Sequence, residues 1–274
     1  MRKLRFAKGH GTRNDFVLLV DENDQTQLSN ADVRFLCDRR SGIGGDGVLR
    51  AVRARNIPEW EGDPGLWFMD YRNADGSLAE MCGNGLRVFA RFLREEQLVA
   101  GAKVQIGTRA GLRSAEFVGE SVRAQLGRVD VESEPTWVRI AGREYVARKV
   151  DVGNPHAVVF LGSVEELESL DLGIAPEYDR SRFPAGVNVE FVVKLGKASL
   201  TMRVHERGVG ETESCGTGIA ASSYAWALET GFDGDVVEMK VPGGQLIVGL
   251  GEEASLLGPA VIVARGEVNL PGGE

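Results

Sequence analysis

The chain contains one short phrase twice. Met81-Cys82-Gly83-Asn84-Gly85-Leu86 and Ser214-Cys215-Gly216-Thr217-Gly218-Ile219 both read Cys-Gly-x-Gly-apolar, and the two cysteines stand close to half of the 274 residues apart. Each phrase opens a helical stretch. Leu86, Phe89, Ala90 and Leu93 recur at i, i+3, i+4 and i+7 and predict a helix from about 83 to 97. Ile219, Ala220, Ala221, Ala225 and Ala227 are small and apolar almost all round, which predicts a buried helix over about 216–229. A fainter echo lies upstream of each cysteine, in Asn14-Asp15-Phe16-Val17 and in Gly153-Asn154-Pro155-His156-Ala157-Val158. Matching halves with one cysteine each predict two similar domains related by a pseudo-twofold axis. The pattern breaks at Gly119, so the halves are expected at 1–118 and 119–263, with strand 264–274 a candidate to complete the first.

The remaining segments set the fold class. Leu200, Met202 and Val204 alternate with polar neighbours, as do Leu246, Val248 and Leu250, and Val122, Ala124 and Leu126, each at the period of a half-buried strand. Shorter helices are predicted at Asn30–Arg40 and Ser163–Leu170. Strands outnumber helices and do not alternate regularly with them, so the class is α+β rather than doubly wound α/β. A hydrophobic content of 43% is enough for one large core or two modest ones. The net charge of −8 has no basic cluster within it, which excludes a nucleic-acid partner. The charged N-terminal segment is not followed by an apolar stretch, and no apolar run approaches membrane-spanning length; neither a signal peptide nor a membrane is expected, and the cytoplasm is the expected compartment. Three cysteines without C-x-x-C spacing, and three histidines without H-x-x-x-H spacing, argue against a disulfide scaffold or a metal site.

Two cysteines at helix starts have a chemical meaning. A helix start leaves backbone N–H groups unpaired and carries positive potential, so it binds carboxylates and lowers a thiol pKa from about 8.5. Glycines beside the sulfur let a ligand approach the backbone. Each half therefore offers an activated sulfur and a carboxylate cradle. Set over one amino acid, a thiolate would take the α-proton from one face and a thiol would return a proton to the other, inverting the carbon without Schiff base or metal. A lone cysteine at a helix start is more often a small buried residue; its duplication shifts the balance. Cys37, in Phe35-Leu36-Cys37-Asp38 with no glycine beside it, reads as core.

Six motifs in order carry a resemblance over nearly the whole chain: His10-Gly11-Thr12-Arg13-Asn14-Asp15-Phe16, Tyr71-Arg72-Asn73-Ala74-Asp75-Gly76-Ser77, Met81-Cys82-Gly83-Asn84-Gly85, Gly153-Asn154-Pro155-His156, Gly186-Val187-Asn188-Val189, and Glu206-Arg207-Gly208-Val209-Gly210-Glu211-Thr212 leading to Cys215-Gly216-Thr217-Gly218. The chain closely resembles the diaminopimelate epimerases of actinobacterial type. The resemblance implies two domains, each a curved, mostly antiparallel sheet or barrel around a central helix. It implies cofactor-independent interconversion of LL- and meso-diaminopimelate for lysine and peptidoglycan synthesis, and a homodimer. By position, Cys82 and Cys215 become the base–acid pair. Gly83, Asn84, Gly216 and Thr217 hold the reacting carboxylate through backbone N–H groups. Asn14, Asn73, Asn154, Asn188 and Arg207 line the pocket and grip the distal end, and Glu206 meets an ammonium. His156 either positions substrate or is a structural hydrogen-bonding residue. Two departures stand out: Gly47 where some members carry Gln, and Thr12-Arg13 where many have Leu-Gly.

The nearest rival is a two-base isomerase of proline or hydroxyproline, disfavoured because an Asn-rich pocket with Arg207 suits a second charged amino-acid end. An isomerase with a carboxylate base is disfavoured by the retained cysteine pair. A non-catalytic binder of diaminopimelate would have no use for activated thiols. The run Gly42-Ile43-Gly44-Gly45-Asp46-Gly47 fits a dinucleotide fingerprint but follows a predicted helix and precedes an apolar stretch, so it reads as a turn.

Overall fold

The computed structural model describes residues 2–271. Of the C-terminal segment 264–274 named above, residues 272–274 lie outside the described residues. The chain divides into two compact units, one running to Ala124 and resuming at Gly258, the other Gln125–Leu257.

The first unit opens with β1 (Arg2–Gly11) and β2 (Asn14–Val20), an antiparallel hairpin. After α1 (Asn30–Cys37), β3 (Gly47–Arg53) lies parallel to β2, and β4 (Trp67–Asn73) returns antiparallel to β3. After α2 (Gly83–Glu95), β5 (Lys103–Thr108) lies parallel to β4, followed by the antiparallel β6 (Gly111–Val118) and β7 (Ser121–Gly127). The last strand of the chain, Val261–Leu270, pairs antiparallel with β1, Arg2 facing Leu270. β2 and β3 read as continuous apolar runs because both of their faces are covered. Phe16, Leu18 and Leu49 pack inward with Leu86, Phe89 and Leu93 of α2. Val17, Leu19 and Val48 pack outward with Val33 and Leu36 of α1. Phe89 is fully buried; truncating such a ring to alanine costs about 3–5 kcal/mol. α1 starts on a reciprocal cap: Ser29 Oγ accepts from the Asp32 N–H and the Asp32 carboxylate accepts from the Ser29 N–H.

The second unit repeats this order. β8 (Asp130–Ile140) and β9 (Arg143–Asp151) form a bulged hairpin, and β9 pairs antiparallel with β10 (Pro155–Phe160). After α3 (Val164–Ser169) and the short β11 (Glu177–Tyr178), β12 (Asn188–Gly196) lies parallel to β10, and β13 (Ser199–Glu206) is antiparallel to β12. After β14 (Gly210–Thr212) and α4 (Gly216–Thr230), β15 (Val236–Val241) lies parallel to β13, followed by the antiparallel β16 (Gly244–Leu250) and β17 (Ala254–Pro259), with Val261–Leu270 as β18. From β1 to β7, and again from β9 to β17, the pairings run antiparallel, parallel, antiparallel, parallel, antiparallel, antiparallel. In both, one short helix joins the first parallel pair and one long buried helix, opened by Cys-Gly-x-Gly, joins the second. α4 ends at Gly231, left-handed at φ 63°.

The α+β reading holds, and all four helices stand where the periodicity places them, α1 three residues shorter than expected. The pattern break at Gly119 (φ 57°) is the tight turn of the β6–β7 hairpin. The Gly42–Gly47 run is a turn leading into β3, with no helix after it.

Candidate active site

In the first unit the strand register gathers the expected residues at one end of the sheet. Phe16 pairs with Gly47 and Gly47 with Asn73, so Asn14, just before Phe16, lies near the ends of β3 and β4. From Asn73 the chain turns through Ser77 to reach Cys82, which caps α2. The cap is a sulfur where serine or aspartate is usual: Sγ accepts the Gly85 N–H at 3.3 Å. The thiol donates to Asn14 Oδ1 at 3.5 Å, and Asn84 Nδ2 donates to the same oxygen at 3.3 Å. Asn14 is oriented from behind, its Nδ2 donating to Asp46 at 2.7 Å. Asp46 is braced by Arg39, which also grips Asp15 together with Lys8. Burial alone would raise the Asp15 carboxyl; Arg39 and Lys8 more than offset it and hold it low. Cys82, Asn14 and Asn84 thus form one contact cluster. Asn73 does not join it by its carboxamide, which donates to the Ser77 hydroxyl at 3.0 Å.

Gly47 has no room for a side chain. A Cβ there would overlap the Arg72 carbonyl oxygen at 2.5 Å and the Tyr71 ring at 2.7 Å. The Thr12-Arg13 departure is a two-residue hairpin turn with both residues left-handed, φ 50° and 63°, conformations that glycine or asparagine adopts more readily.

In the second unit Cys215 caps α4, and its carbonyl accepts the Ile219 N–H at 2.9 Å as that of Cys82 accepts Leu86 at 2.8 Å. Its thiol lies 3.6 Å from the Thr217 hydroxyl. Behind it is a buried chain of polar groups. His156, fully buried on β10, contacts Glu190 of β12 through Nδ1 at 2.7 Å and Asn154 through Nε2 at 3.1 Å. Glu190 is itself fully buried and presses on the first turn of α4, where a Cβ on Gly218 would collide with its carboxylate. Asn188 Oδ1 accepts the Arg207 N–H at 2.8 Å, and Arg207 Nη1 donates to the Ala185 carbonyl at 2.9 Å. The Glu206 carboxylate accepts from Thr212 Oγ1. Gly216 and Thr217 occupy the first turn of α4, as Gly83 and Asn84 occupy that of α2.

The surroundings of Cys215 oppose what the shared motif leads one to expect. A depressed pKa is expected for both. At Cys215, burial first and then Glu206 and Glu190 drive the thiol well above its ordinary value, against the opposing Thr217 hydroxyl and Gly218 amide. Cys37 is a core residue, pushed up to about 12 by burial. The sequence reading passes over Asp46, Glu190 and Arg87. Glu190 had a signal, as the single carboxylate in a strand otherwise apolar from Val189 to Val193. Among the described residues, no group of three or more His, Cys, Asp or Glu side chains could hold a metal ion, and no helix is long and apolar enough to cross a membrane.

The sequence pattern described as diaminopimelate epimerase matches residues 6–132 and 148–271. The chain is 45% identical to the diaminopimelate epimerase of Corynebacterium glutamicum over 272 residues, 97% of this chain and 98% of that one. It is 44% identical to the diaminopimelate epimerase of Streptomyces coelicolor over 277 residues, 97% and 95% of the two chains. Among solved structures it resembles a Bacillus anthracis phenazine biosynthesis protein of the PhzF family (TM-score 0.71, 16% identity, 98% and 100% of the chains). It also resembles a probable proline racemase of Agrobacterium radiobacter (TM-score 0.70, 17% identity, 98% and 93%). These structural likenesses carry the fold alone.

Proposed function

The chain belongs to the diaminopimelate epimerase family, and on that premise we propose that it interconverts LL- and meso-diaminopimelate by passing the α-proton between two cysteines, Cys82 and Cys215, with no cofactor and no metal ion. The observation that carries this reading is the repeat itself: each unit caps its one long buried helix with a cysteine, at the same place in the same order of strands.

The chemistry follows from those positions. The backbone N–H groups of Gly83 and Asn84, and of Gly216 and Thr217, hold the reacting carboxylate and take up the charge that develops there as the α-carbon loses its proton. A thiolate accepts that proton and becomes a thiol. The second sulfur, a thiol, donates its proton to the opposite face and becomes a thiolate. The carbon inverts and the two sulfurs exchange protonation states. Arg207 suits the distal carboxylate, Asn14, Asn73, Asn154 and Asn188 serve the distal end of the substrate, and Glu206 faces an ammonium. His156, held between Glu190 and Asn154, is a second-layer support for the Cys215 side. The same reading makes the protein a cytoplasmic homodimer in lysine and peptidoglycan precursor synthesis.

The test is conversion of LL-diaminopimelate, with proline in parallel, followed by chiral chromatography on wild type, Cys82→Ala and Cys215→Ala. Wild type is expected to form meso product and leave proline alone, and each variant to lose at least about a hundredfold to ten-thousandfold in rate, the usual contribution of a positioned acid or base. Conversion of proline instead would keep the chemistry and contradict the substrate. An active alanine variant would contradict the mechanism.

A further inference from the structure

α2 carries a charge that the mechanism above does not use. Arg87 lies one turn into the helix that Cys82 caps. Its side chain is fully buried, and among the described residues none of its three nitrogens, Nε, Nη1 or Nη2, has a hydrogen-bond partner. The β1–β2 hairpin closes over it: a Cβ on Gly11 would sit 3.0 Å from Nη2. Burying a guanidinium without a carboxylate or a carbonyl to receive it is unfavourable, and a fold that does so gains something elsewhere or leaves the site unstable. The ionisable group that couples to Arg87 is the Cys82 thiol. Burial, opposed by the attraction of Cys82, brings the guanidinium down to about 10, so it stays charged at neutral pH.

We propose that Arg87 is a positioning residue, a fixed buried cation that keeps the Cys82 sulfur as the resting thiolate, so that the free enzyme waits with its base on the first unit and its acid on the second. This rests on the reading of Cys82 and Cys215 as the base–acid pair. The surroundings of the two sulfurs support it, because they have opposite sign. Cys215 has Glu190 and Glu206 beside it and is held as a thiol. Around Cys82 the carboxylates on neighbouring elements are neutralised: Asp15 is paired with Lys8 and Arg39, and Asp46 with Arg39 and the Asn14 amide. Glu80, on the segment leading into the helix, is exposed, and His10 turns its Nδ1 to the Arg13 N–H. Asn14 Oδ1, 3.5 Å from the sulfur, accepts from the thiol form and opposes a thiolate, whereas the Gly85 N–H, the helix start and the buried cation favour one.

The test is the pH profile of Cys82 alkylation by iodoacetamide, followed by mass spectrometry of the Cys82 peptide in wild type, Arg87→Lys and Arg87→Met, with circular dichroism to check folding. Wild-type Cys82 is expected to react with a midpoint at least about one pH unit below the ordinary thiol value of about 8.5. Arg87→Met is expected to raise that midpoint by about a unit or more, slowing alkylation at pH 7 about tenfold, with Arg87→Lys between the two. A purely structural arginine would leave the midpoint unchanged, and a folded Arg87→Met with the wild-type profile overturns the proposal. So does a wild-type midpoint at or above about 8.5, which decides the matter even if Arg87→Met does not fold. Turnover by Cys82→Ala separates the two claims: an active Cys82→Ala overturns the base–acid reading, whereas an inactive one with an Arg87-independent profile overturns only the role of Arg87.

Discussion

Cys37, Cys82 and Cys215 show how far one side chain's chemistry depends on what surrounds it. Cys37 is wrapped in apolar residues of the α1 core. Cys215 sits at a helix start, a place that favours a thiolate, yet burial and two carboxylates outweigh the dipole. Both thiols are raised, and the sign of the consequence follows. A thiol that binds its proton more tightly when folded stabilises the fold below its unfolded value of about 8.5, and that contribution is lost as pH rises from there toward the folded value. For Cys37 that window runs to about 12. Thermal unfolding is therefore expected to fall more steeply with pH above about 8.5, by about 1.4 kcal/mol per unit for each buried thiol. Cys37→Ala should flatten that slope while lowering the melting temperature at pH 7 through lost packing. An equal slope in wild type and Cys37→Ala would contradict the assignment.

The elements differ in how openly the sequence declares them. α2 is legible from its apolar face at i, i+3, i+4 and i+7, and α4 from small apolar residues almost all round. β2 and β3, buried on both faces, lose the alternation that marks half-buried strands such as β13 and β16, so their period does not show. The functional side chains that sequence reasoning misses are those whose role depends on a neighbouring strand. Glu190 matters because β10 lies beside β12 and brings His156 to it. Asp46 matters because its loop closes onto Asn14. Arg50, in the apolar run of β3, belongs to the same class. It is buried and ties β3 to β4 and to the turn after β2 through Asp70 (2.9 Å), Asp21 (2.7 Å) and Asp24 (2.5 Å), while Arg109 holds the other Asp70 oxygen at 2.6 Å. Arg50→Met should destabilise the protein by about 3–5 kcal/mol, because it strands buried carboxylates rather than because the ion pairs are worth that much. Chemical denaturation measures it; a loss under about 1 kcal/mol would mean the cluster rearranges or hydrates easily.

For the whole molecule, the duplicated Cys-Gly-x-Gly phrase is the visible part of a deeper repeat. Two helices and six consecutive strand pairings recur in the same order and direction in each unit. Almost none of that is legible residue by residue, because sheet pairing constrains polarity and size rather than identity, whereas a helix start capped by a cysteine and opened by glycines constrains the residues themselves. Gly119 suggests a border in the sequence but is a hairpin turn, since a linker and a tight turn both call for glycine at positive φ. The central claim is that two thiols, one from each unit, share a single proton transfer. It is tested by incubating LL-diaminopimelate in heavy water and comparing deuterium at the α-carbon of the product and of the remaining substrate early in the reaction. Each thiol holds one proton, so the base keeps the substrate's hydrogen while the acid delivers solvent deuterium. The account predicts meso product labelled from the first turnovers and recovered LL substrate still unlabelled. Deuterium entering the recovered substrate as fast as product forms would point to a single exchanging base and contradict it.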